Sequence, residues 1–210
     1  MKDIDQLLER NREWAKQIEI DQPGFFQKLE KQQKPEYLWI GCADSRVPAN
    51  QIVDLMPGDM FVHRNIANQV IHSDLNCLSV IHYAVAVLKV RHILVCGHYN
   101  CGGVQLALND TVTGVADHWI RHIKDVCYDN REILLAQSDD QARLDRACEL
   151  NAERQARNVA LLPVVQEAWK EGRDLSIHGL IYGVADGILK NVGGRIDGLE
   201  DIPDTYHYDT

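Results

Sequence analysis

Short, continuously apolar runs that follow turn-forming residues recur along this chain. A strand buried on both faces gives such a run, whereas a half-exposed strand alternates apolar and polar residues. Four strands are therefore predicted, at residues 37–40, 59–63, 91–96 and 174–182. After Gly187 the pattern is weak, and the strand at 174–182 is expected to be the last one.

Between these runs, apolar residues recur at steps of three and four, which places them on one face of a helix. The pattern predicts a helix at 75–88, another at 102–108 and a helical region at 115–170 with breaks near Ser138 and Pro163. Buried strands that alternate with helices indicate a mostly parallel sheet covered by helices on both faces.

The N-terminal segment has a different character, because residues 3–18 form a mostly polar helix with few apolar positions. Pro23-Gly24 interrupts this helix, and a second short helix starts at Phe25. We therefore predict an α/β fold, with a mostly parallel β-sheet core flanked by helices and an N-terminal helical arm. One domain is expected, divided into an arm at 1–34, a core at 35–190 and a C-terminal tail at 191–210.

Composition narrows the possible functions. The chain has 210 residues, with 22 Lys and Arg against 31 Asp and Glu, and a formal net charge of −9. This acidic balance argues against nonspecific binding to nucleic acid or to anionic membranes, since both need clustered basic residues. No window approaches the roughly 18 consecutive apolar residues of a membrane-spanning helix. The N-terminus lacks the apolar region of a secretory signal, so we expect a cytoplasmic protein with reduced thiols.

The six cysteines divide into two groups. Cys42 and Cys101 lie in polar, glycine-containing motifs that follow predicted strands. The other four are expected to be small buried residues of the core, as reduced cysteines usually are: Cys77, Cys96, Cys127 and Cys148.

The two motifs at 40–46 (IGCADSR) and 96–103 (CGHYNCGG) carry the candidate chemistry. The carboxyl ends of parallel strands meet at one edge of a sheet, where ligands and active sites gather. If the two strands are neighbours, four side chains converge there: Cys42, Asp44, His98 and Cys101. Two thiolates, an imidazole and a carboxylate form a reasonable tetrahedral zinc shell. One zinc ion is therefore predicted, although the spacing is not that of a zinc finger.

Asp44 is predicted to be a switch rather than a permanent ligand. Four protein ligands close a zinc site, whereas a catalytic site keeps one position open. Arg46 lies two residues from Asp44 and offers a bidentate partner for its carboxylate. With Asp44 on the metal the site is closed, and with Asp44 on Arg46 it is open. We expect Asp44 and Arg46 to act together in catalysis.

Other interpretations of these residues stay open. The four ligands are compatible with a structural zinc site, or with a redox-responsive binding module that has no catalytic activity. A nucleophilic enzyme that uses Cys101 and His98 is also chemically possible. His118 and His122 have a helical spacing that can bind metal, but the glutamate of the zinc-protease motif is missing, so a structural role is expected.

Taken together, the motifs of this chain resemble the β-class carbonic anhydrases. The resemblance covers about residues 5–190 and is carried by the segments 42–48 (CADSRVP), 61–68 (FVHRNIAN), 74–80 (DLNCLSV), 98–104 (HYNCGGV) and 178–183 (HGLIYG). It implies zinc held by the four predicted ligands and reversible hydration of carbon dioxide to bicarbonate and a proton. Asn100 departs from the glycine expected in the ligand loop, but it tolerates left-handed backbone better than most residues. A member that acts on another substrate, such as carbon disulfide, is a minor alternative.

The resemblance also implies partners and regulation. A carbon dioxide pocket at a dimer interface would include Tyr83 and Val87. The family implies self-association through the N-terminal arm, as a homodimer or a dimer of dimers. The bacterial members regulated by bicarbonate bind this anion at a tryptophan, an arginine and a tyrosine, which correspond here to Trp39, Arg64 and Tyr182. We therefore expect a bicarbonate-inhibited enzyme of that bacterial type.

Overall fold

The computed structural model describes residues 3–109 and 114–208, which divide into two compact units at Lys34 and Pro35. The first unit contains helices α1 (Ile4–Asp21) and α2 (Phe25–Lys31). Between them, Gly24 has a φ of 78°, a left-handed conformation that suits glycine. None of the residues Ile4–Asp21 is buried. The predicted helical arm is confirmed, and α1 extends three residues beyond its predicted end at residue 18.

The second unit is built on a five-stranded sheet with the order β2-β1-β3-β4-β5. The first four strands are parallel, and β5 is antiparallel to β4. The strands are β1 (Tyr37–Cys42), β2 (Met60–Asn65), β3 (His92–His98), β4 (Ser176–Tyr182) and β5 (Leu189–Ile196). The mostly parallel sheet confirms the predicted fold class. It also makes the strands that precede the two polar motifs direct neighbours.

Helices of this unit surround the sheet. They are α3 (Ala49–Ile52), α4 (Leu75–His82), α5 (Gly102–Leu108), α6 (Val115–Asp129), α7 (Arg131–Leu135), α8 (Asp140–Ala160) and α9 (Pro163–Lys170). One apolar core joins side chains of β1, β3 and β4 to residues of α4, α8 and α9. Leu38, Ile93 and Ile177 are fully buried in it. This packing supports the strand ends that carry the polar motifs.

One expectation from the sequence is wrong, and a second is confirmed in extent but not in the type of helix. The region after Gly187 contains β5, whose residues are exposed or at most half-buried and therefore give no continuous apolar run. The helix predicted at 75–88 is α-helical only to His82 and becomes π-helical from Tyr83 to Leu88. Lys89, with a φ of 57°, then ends it. The breaks predicted near Ser138 and Pro163 are confirmed, and Asn130 adds a break between α6 and α7.

Candidate metal centre

The carboxyl ends of β1 and β3 bring three predicted metal ligands together. Cys42 is the last residue of β1, His98 the last of β3, and Cys101 immediately precedes α5. Their ligand atoms all lie within 4.8 Å of one another, and the two Sγ atoms are 3.9 Å apart. We call Cys42, His98 and Cys101 the thiolate cluster. The sequence alone did not settle whether β1 and β3 are neighbours, and the structure shows that they pair directly.

The imidazole of His98 is fixed in the form that a metal needs. Its side chain is 0% exposed, and Nδ1 lies 2.9 Å from the carbonyl oxygen of Tyr99. A carbonyl only accepts, so Nδ1 carries the proton and Nε2 presents a lone pair. Among the residues that the structure describes, Nε2 has no hydrogen-bond partner. A buried polar atom without a partner is unusual and requires a reason.

A hydrogen bond between the two thiols favours the ionisation of one of them. This contact between the Cys42 and Cys101 sulfur atoms lowers the pKa of Cys42 well below its ordinary value, against the opposing effect of burial. The backbone N–H of Ala67 also donates to the Cys42 sulfur, at 3.4 Å. The same contact, together with burial, raises the pKa of Cys101. Because a metal binds thiolates, both thiols would be deprotonated on binding.

The fourth predicted ligand, Asp44, lies next to the thiolate cluster and is held by Arg46. Arg46 Nε donates to Asp44 Oδ1 at 2.9 Å, and Arg46 Nη2 donates to Oδ2 at 2.7 Å. The backbone N–H of Arg46 adds a third bond to Oδ1, at 2.9 Å. These bonds from Arg46 hold the pKa of Asp44 well below its usual range. Asp44 Oδ2 is still only 3.7 Å from His98 Nε2, so the carboxylate adjoins the predicted metal position.

This donor set fits zinc. Two soft sulfur atoms and an imidazole nitrogen are the ligands zinc prefers, and they converge around the buried, unpartnered Nε2 of His98. A carboxylate within reach offers a fourth ligand.

Sequence reasoning did not find a second group of metal-ligating side chains. Three side chains form this group, and their ligand atoms lie within 4.8 Å of one another. We call them the His63 cluster: His63 on β2, Asp74 at the N-cap of α4 and Cys77 on α4. The Asp74 side chain also accepts from the Asn76 N–H. No spacing in the sequence joins His63 to the other two, because β2 and α4 are separate elements.

The predicted effector residues lie on one face of the sheet. Trp39 and Tyr182 belong to the same apolar cluster, in which Trp39 is fully buried. The Trp39 indole Nε1 has no hydrogen-bond partner within the described residues and faces Gly41, where any added Cβ would collide with it. Arg64 pairs in register with Gly41 and donates to the carbonyl oxygens of Cys42 and Asp44, at 3.0 and 2.6 Å. Arg64 therefore also supports the loop that carries the metal ligands.

The predicted pocket residues lie on the π-helical segment. Tyr83 is 43% exposed and Val87 is 55% exposed in the single chain. The Tyr83 ring packs on Phe61 of β2, with ring centroids 5.9 Å apart. Both side chains are thus available to a second chain, and they lie on an element next to the edge strand of the sheet.

The remaining predicted residues have structural environments. Cys77, Cys96 and Cys148 are buried and Cys127 is half-buried, and all four are free thiols. Burial raises the pKa of Cys148 to about 12 and that of Cys127 to about 11, as expected of unreactive core cysteines. In residues 3–109 and 114–208, neither His118 nor His122 belongs to a group that could hold a metal ion.

Comparisons with known proteins agree with this site. A family model described as "Carbonic anhydrase" matches residues 37–189. A carbonic anhydrase of Emericella nidulans is 47% identical over 97% of this chain and 90% of its own length. The structure of a β-carbonic anhydrase of Coccomyxa, in complex with acetazolamide, has a TM-score of 0.91 at 42% identity and covers 96% of this chain and 91% of its own. A β-carbonic anhydrase of Sordaria macrospora, described as tetrameric, has a TM-score of 0.88 at 43% identity, with 92% and 98% covered.

Proposed function

This chain belongs to the carbonic anhydrase family, in its β class, and is therefore a zinc enzyme that interconverts carbon dioxide and bicarbonate; on that premise we propose that Cys42, His98 and Cys101 hold the zinc and that Asp44 and Arg46 gate it. One observation carries the proposal. Within the described residues, the His98 Nε2 is buried without a hydrogen-bond partner beside two thiols, while Arg46 holds a carboxylate 3.7 Å away from it.

Charge explains why Asp44 needs a second position. Zinc(II) with two thiolates is neutral, so adding the Asp44 carboxylate gives a net charge of −1 and fills the fourth position. Bound by the thiolate cluster, zinc supplies Lewis-acid activation of water near neutral pH. Arg46 keeps the position open by holding both oxygens of Asp44 with two parallel N–H···O bonds, the strongest geometry for an arginine and a carboxylate.

For the substrate, we propose a carbon dioxide pocket that includes Tyr83 and Val87 and is completed by a second copy of the chain. Their exposure in the single chain supports this, since an apolar pocket for carbon dioxide requires more cover. Ile4, Leu7 and Leu8 of α1 are also exposed and suit self-association through the arm. The relative from Sordaria macrospora is described as tetrameric, which is compatible with a dimer of dimers.

We further propose that bicarbonate inhibits the enzyme at Trp39, Arg64 and Tyr182. The Trp39 indole N–H is buried and has no partner among the residues that the structure describes, which supports an anion that accepts from it, and Arg64 supplies charge. An anion that drew Arg64 away from the Asp44 carbonyl oxygen would disturb the loop between Cys42 and Arg46. This gives a direct route from the effector site to the gate. The bacterial subtype remains a prediction, because the relatives described above include fungal enzymes.

Stopped-flow measurement of carbon dioxide hydration, with zinc quantified on the same sample, tests the main proposal. We expect one zinc per chain. We also expect activity to rise between about pH 7 and 9, because the open form of the site becomes more populated relative to the closed form. A structural zinc site or a redox-responsive module predicts the same zinc content but no hydration. Full zinc occupancy with no hydration at about pH 8.5 would therefore reject catalysis and favour those alternatives.

The effector site needs a separate test. Arg64→Ala and Trp39→Phe should each reduce inhibition by added bicarbonate, since one removes the charge and the other removes the indole N–H while keeping an aromatic ring. Phe25→Leu, in α2, is a matched aromatic control and should leave the inhibition unchanged. Unaltered bicarbonate sensitivity in the Arg64→Ala enzyme would count against this site.

A cytoplasmic location is also proposed and is supported by six free cysteines. In the described part of the chain, none of the helices is long and apolar enough to cross a membrane. Fractionation of cells that make the full-length protein tests the location directly.

A further inference from the structure

We propose that Asn100 and Gln141 position Arg46 on Asp44, so that the loop from His98 to Cys101 helps to keep Asp44 away from the metal position. We call this pair of residues the clamp, and the inference rests on the proposed gating function. Asn100 and Gln141 are positioning residues, since neither belongs to the thiolate cluster. Asn100 stands where the resemblance to the family predicts glycine.

Asn100 presents its carbonyl oxygen to the arginine. Arg46 Nη2 donates to the Asn100 oxygen at 3.3 Å and to Asp44 Oδ2 at 2.7 Å. For residues 3–109 and 114–208, the hydrogen bonds of the Arg46 guanidinium go to Asp44 and Asn100 alone. The Asn100 carbonyl therefore fixes the position of Arg46 Nη2. Because Nε and Nη2 lie in one plane, the contact also fixes the plane of the guanidinium that binds Asp44.

The orientation of that carbonyl depends on an unusual backbone. Asn100 has a φ of 54°, in the left-handed region that asparagine tolerates better than most residues with a side chain. Asn100 also lies between His98 and Cys101, so its backbone is part of the loop that carries two metal ligands. A change in the angle of this peptide moves the carbonyl away from Arg46.

The side chain of Asn100 anchors the loop to a distant helix. Gln141, in the first turn of α8, donates from Nε2 to Asn100 Oδ1 at 3.1 Å. The same Nε2 donates to Asp145 Oδ1 at 2.8 Å, one turn further along α8. The Asp145 contact orients the amide of Gln141 so that its nitrogen, and not its oxygen, faces Asn100. Glycine at position 100 would keep the left-handed backbone but would lose this anchor.

Substitution of Gln141 tests the clamp without touching the loop. For Gln141→Ala we expect kcat for carbon dioxide hydration to fall about threefold, the effect of one exposed neutral hydrogen bond, with KM and zinc content unchanged. Gln141→Lys restores a donor of sufficient reach and should recover most of the activity. Gln137→Ala is the matched control, because Gln137 donates to the Ile133 carbonyl oxygen on an exposed surface and should leave kcat unchanged.

A double-mutant cycle separates the clamp from a general effect on the loop. Asn100→Gly should lower kcat as much as Gln141→Ala does. The double variant should be no worse than either single variant, because both remove the same contact. Additive losses would show that the two residues act independently and would reject the clamp.

Crystal structures of the zinc-loaded variants give a readout besides activity. In Gln141→Ala we expect Arg46 to leave the Asn100 carbonyl oxygen and Asp44 to be found partly on the metal. An unchanged Arg46 and Asp44 would overturn the clamp even if kcat fell. A wild-type protein with full zinc and no hydration would instead reject the proposed function, and this outcome is independent of both variants.

Discussion

Two groups of metal-ligating side chains lie on neighbouring strands of this sheet, and their hydrogen bonds differ. The thiolate cluster is at the end of β1 and β3, and the His63 cluster joins β2 to α4. Both contain a buried histidine and a buried cysteine, and both bring three ligand atoms within 4.8 Å of one another. The thiolate cluster has two cysteines and the His63 cluster one cysteine and one aspartate, but the spacing of the ligand atoms does not distinguish them.

The histidines distinguish the two clusters. The Asn65 amide is fixed, because its Oδ1 accepts from the Gln69 N–H at 2.7 Å and its Nδ2 donates to the Gln69 carbonyl oxygen at 2.8 Å. The second hydrogen of this Nδ2 points to His63 Nε2, at 3.2 Å. The lone pair of Nε2 is therefore already used, and the proton of neutral His63 is on Nδ1. In contrast, the lone pair of His98 Nε2 is unpartnered in the described chain.

The cysteines differ in the same direction. Burial, with a smaller contribution from the Asp74 carboxylate, raises the pKa of Cys77 to about 12. The hydrogen bond with Cys101 instead lowers the pKa of Cys42. Both clusters must still release a proton from a buried thiol to bind a metal, because the pKa of Cys101 is raised as well. The His63 cluster must in addition break the hydrogen bond between Asn65 and His63, so the histidines give the clearer difference between the two clusters.

The strongest test of this comparison removes one ligand from each cluster. Cys101→Ser should lose zinc and lower the hydration rate more than about a hundredfold, since even outer-shell partners of a metal cost 10- to 100-fold. Zinc per chain, measured by atomic emission on the purified protein, checks the result. Cys77→Ser is the matched control and should keep one zinc. Retention of zinc by Cys101→Ser, or its loss from Cys77→Ser, contradicts the comparison.

The next effect concerns Arg46, which we propose keeps Asp44 off the metal. Arg46→Ala removes two charge-assisted hydrogen bonds from Asp44, so we expect kcat to fall at least about tenfold while zinc stays at one per chain. Arg46→Lys should recover only part of the rate, since an ammonium group cannot make the fork. Stopped-flow hydration and zinc content are measured on the same samples. A full rate in Arg46→Ala would show that the arginine does not gate the site.

A smaller effect is expected on stability in the His63 cluster. Cys77→Ala removes a fully buried sulfur from the core, which should lower the free energy of unfolding by about 1 kcal/mol with no change in zinc content or kcat. Denaturant titration of the zinc-loaded protein gives the difference. Two zinc ions in the wild-type chain and one in this variant would show that the His63 cluster also binds metal.

The smallest expected effect is a change in pH dependence. Burial lowers the pKa of His63 below its ordinary value of 6.5, so below that pH the unfolded chain binds more protons than the folded one. The contribution of His63 to stability is therefore complete above about pH 6.5 and is lost as the pH falls toward the folded pKa. His63→Gln should flatten the decline in unfolding free energy between about pH 7 and 5 by less than about 1 kcal/mol. Exposed His118→Gln should leave the curve unchanged, and an unaltered slope in His63→Gln would exclude this contribution.

The sequence predicted those parts of the molecule that depend on local patterns. Buried parallel strands give apolar runs, so β1 to β4 were recognisable, and the two polar motifs at their ends predicted that the side chains of the thiolate cluster converge. The edge strand β5 gives no such run, because only some of its side chains pack against the core. The contact of Gln141 with Asn100 joins residues 41 positions apart, so it depends on how α8 packs and has no signature in either motif.

The parallel pairing of β1 with β3 has a consequence for how this protein acquires its metal. Cys42 and Cys101 lie 59 positions apart, and β2 with its following helix is synthesised between them. A nascent chain that has emerged only as far as β2 presents Cys42 without its imidazole and its second sulfur. Contacts this distant in sequence form late, after the chain has paid the entropy of closing the intervening loop. Zinc capture should therefore mark the docking of β3, and a ribosome-bound chain that ends before residue 101 should not retain the ion.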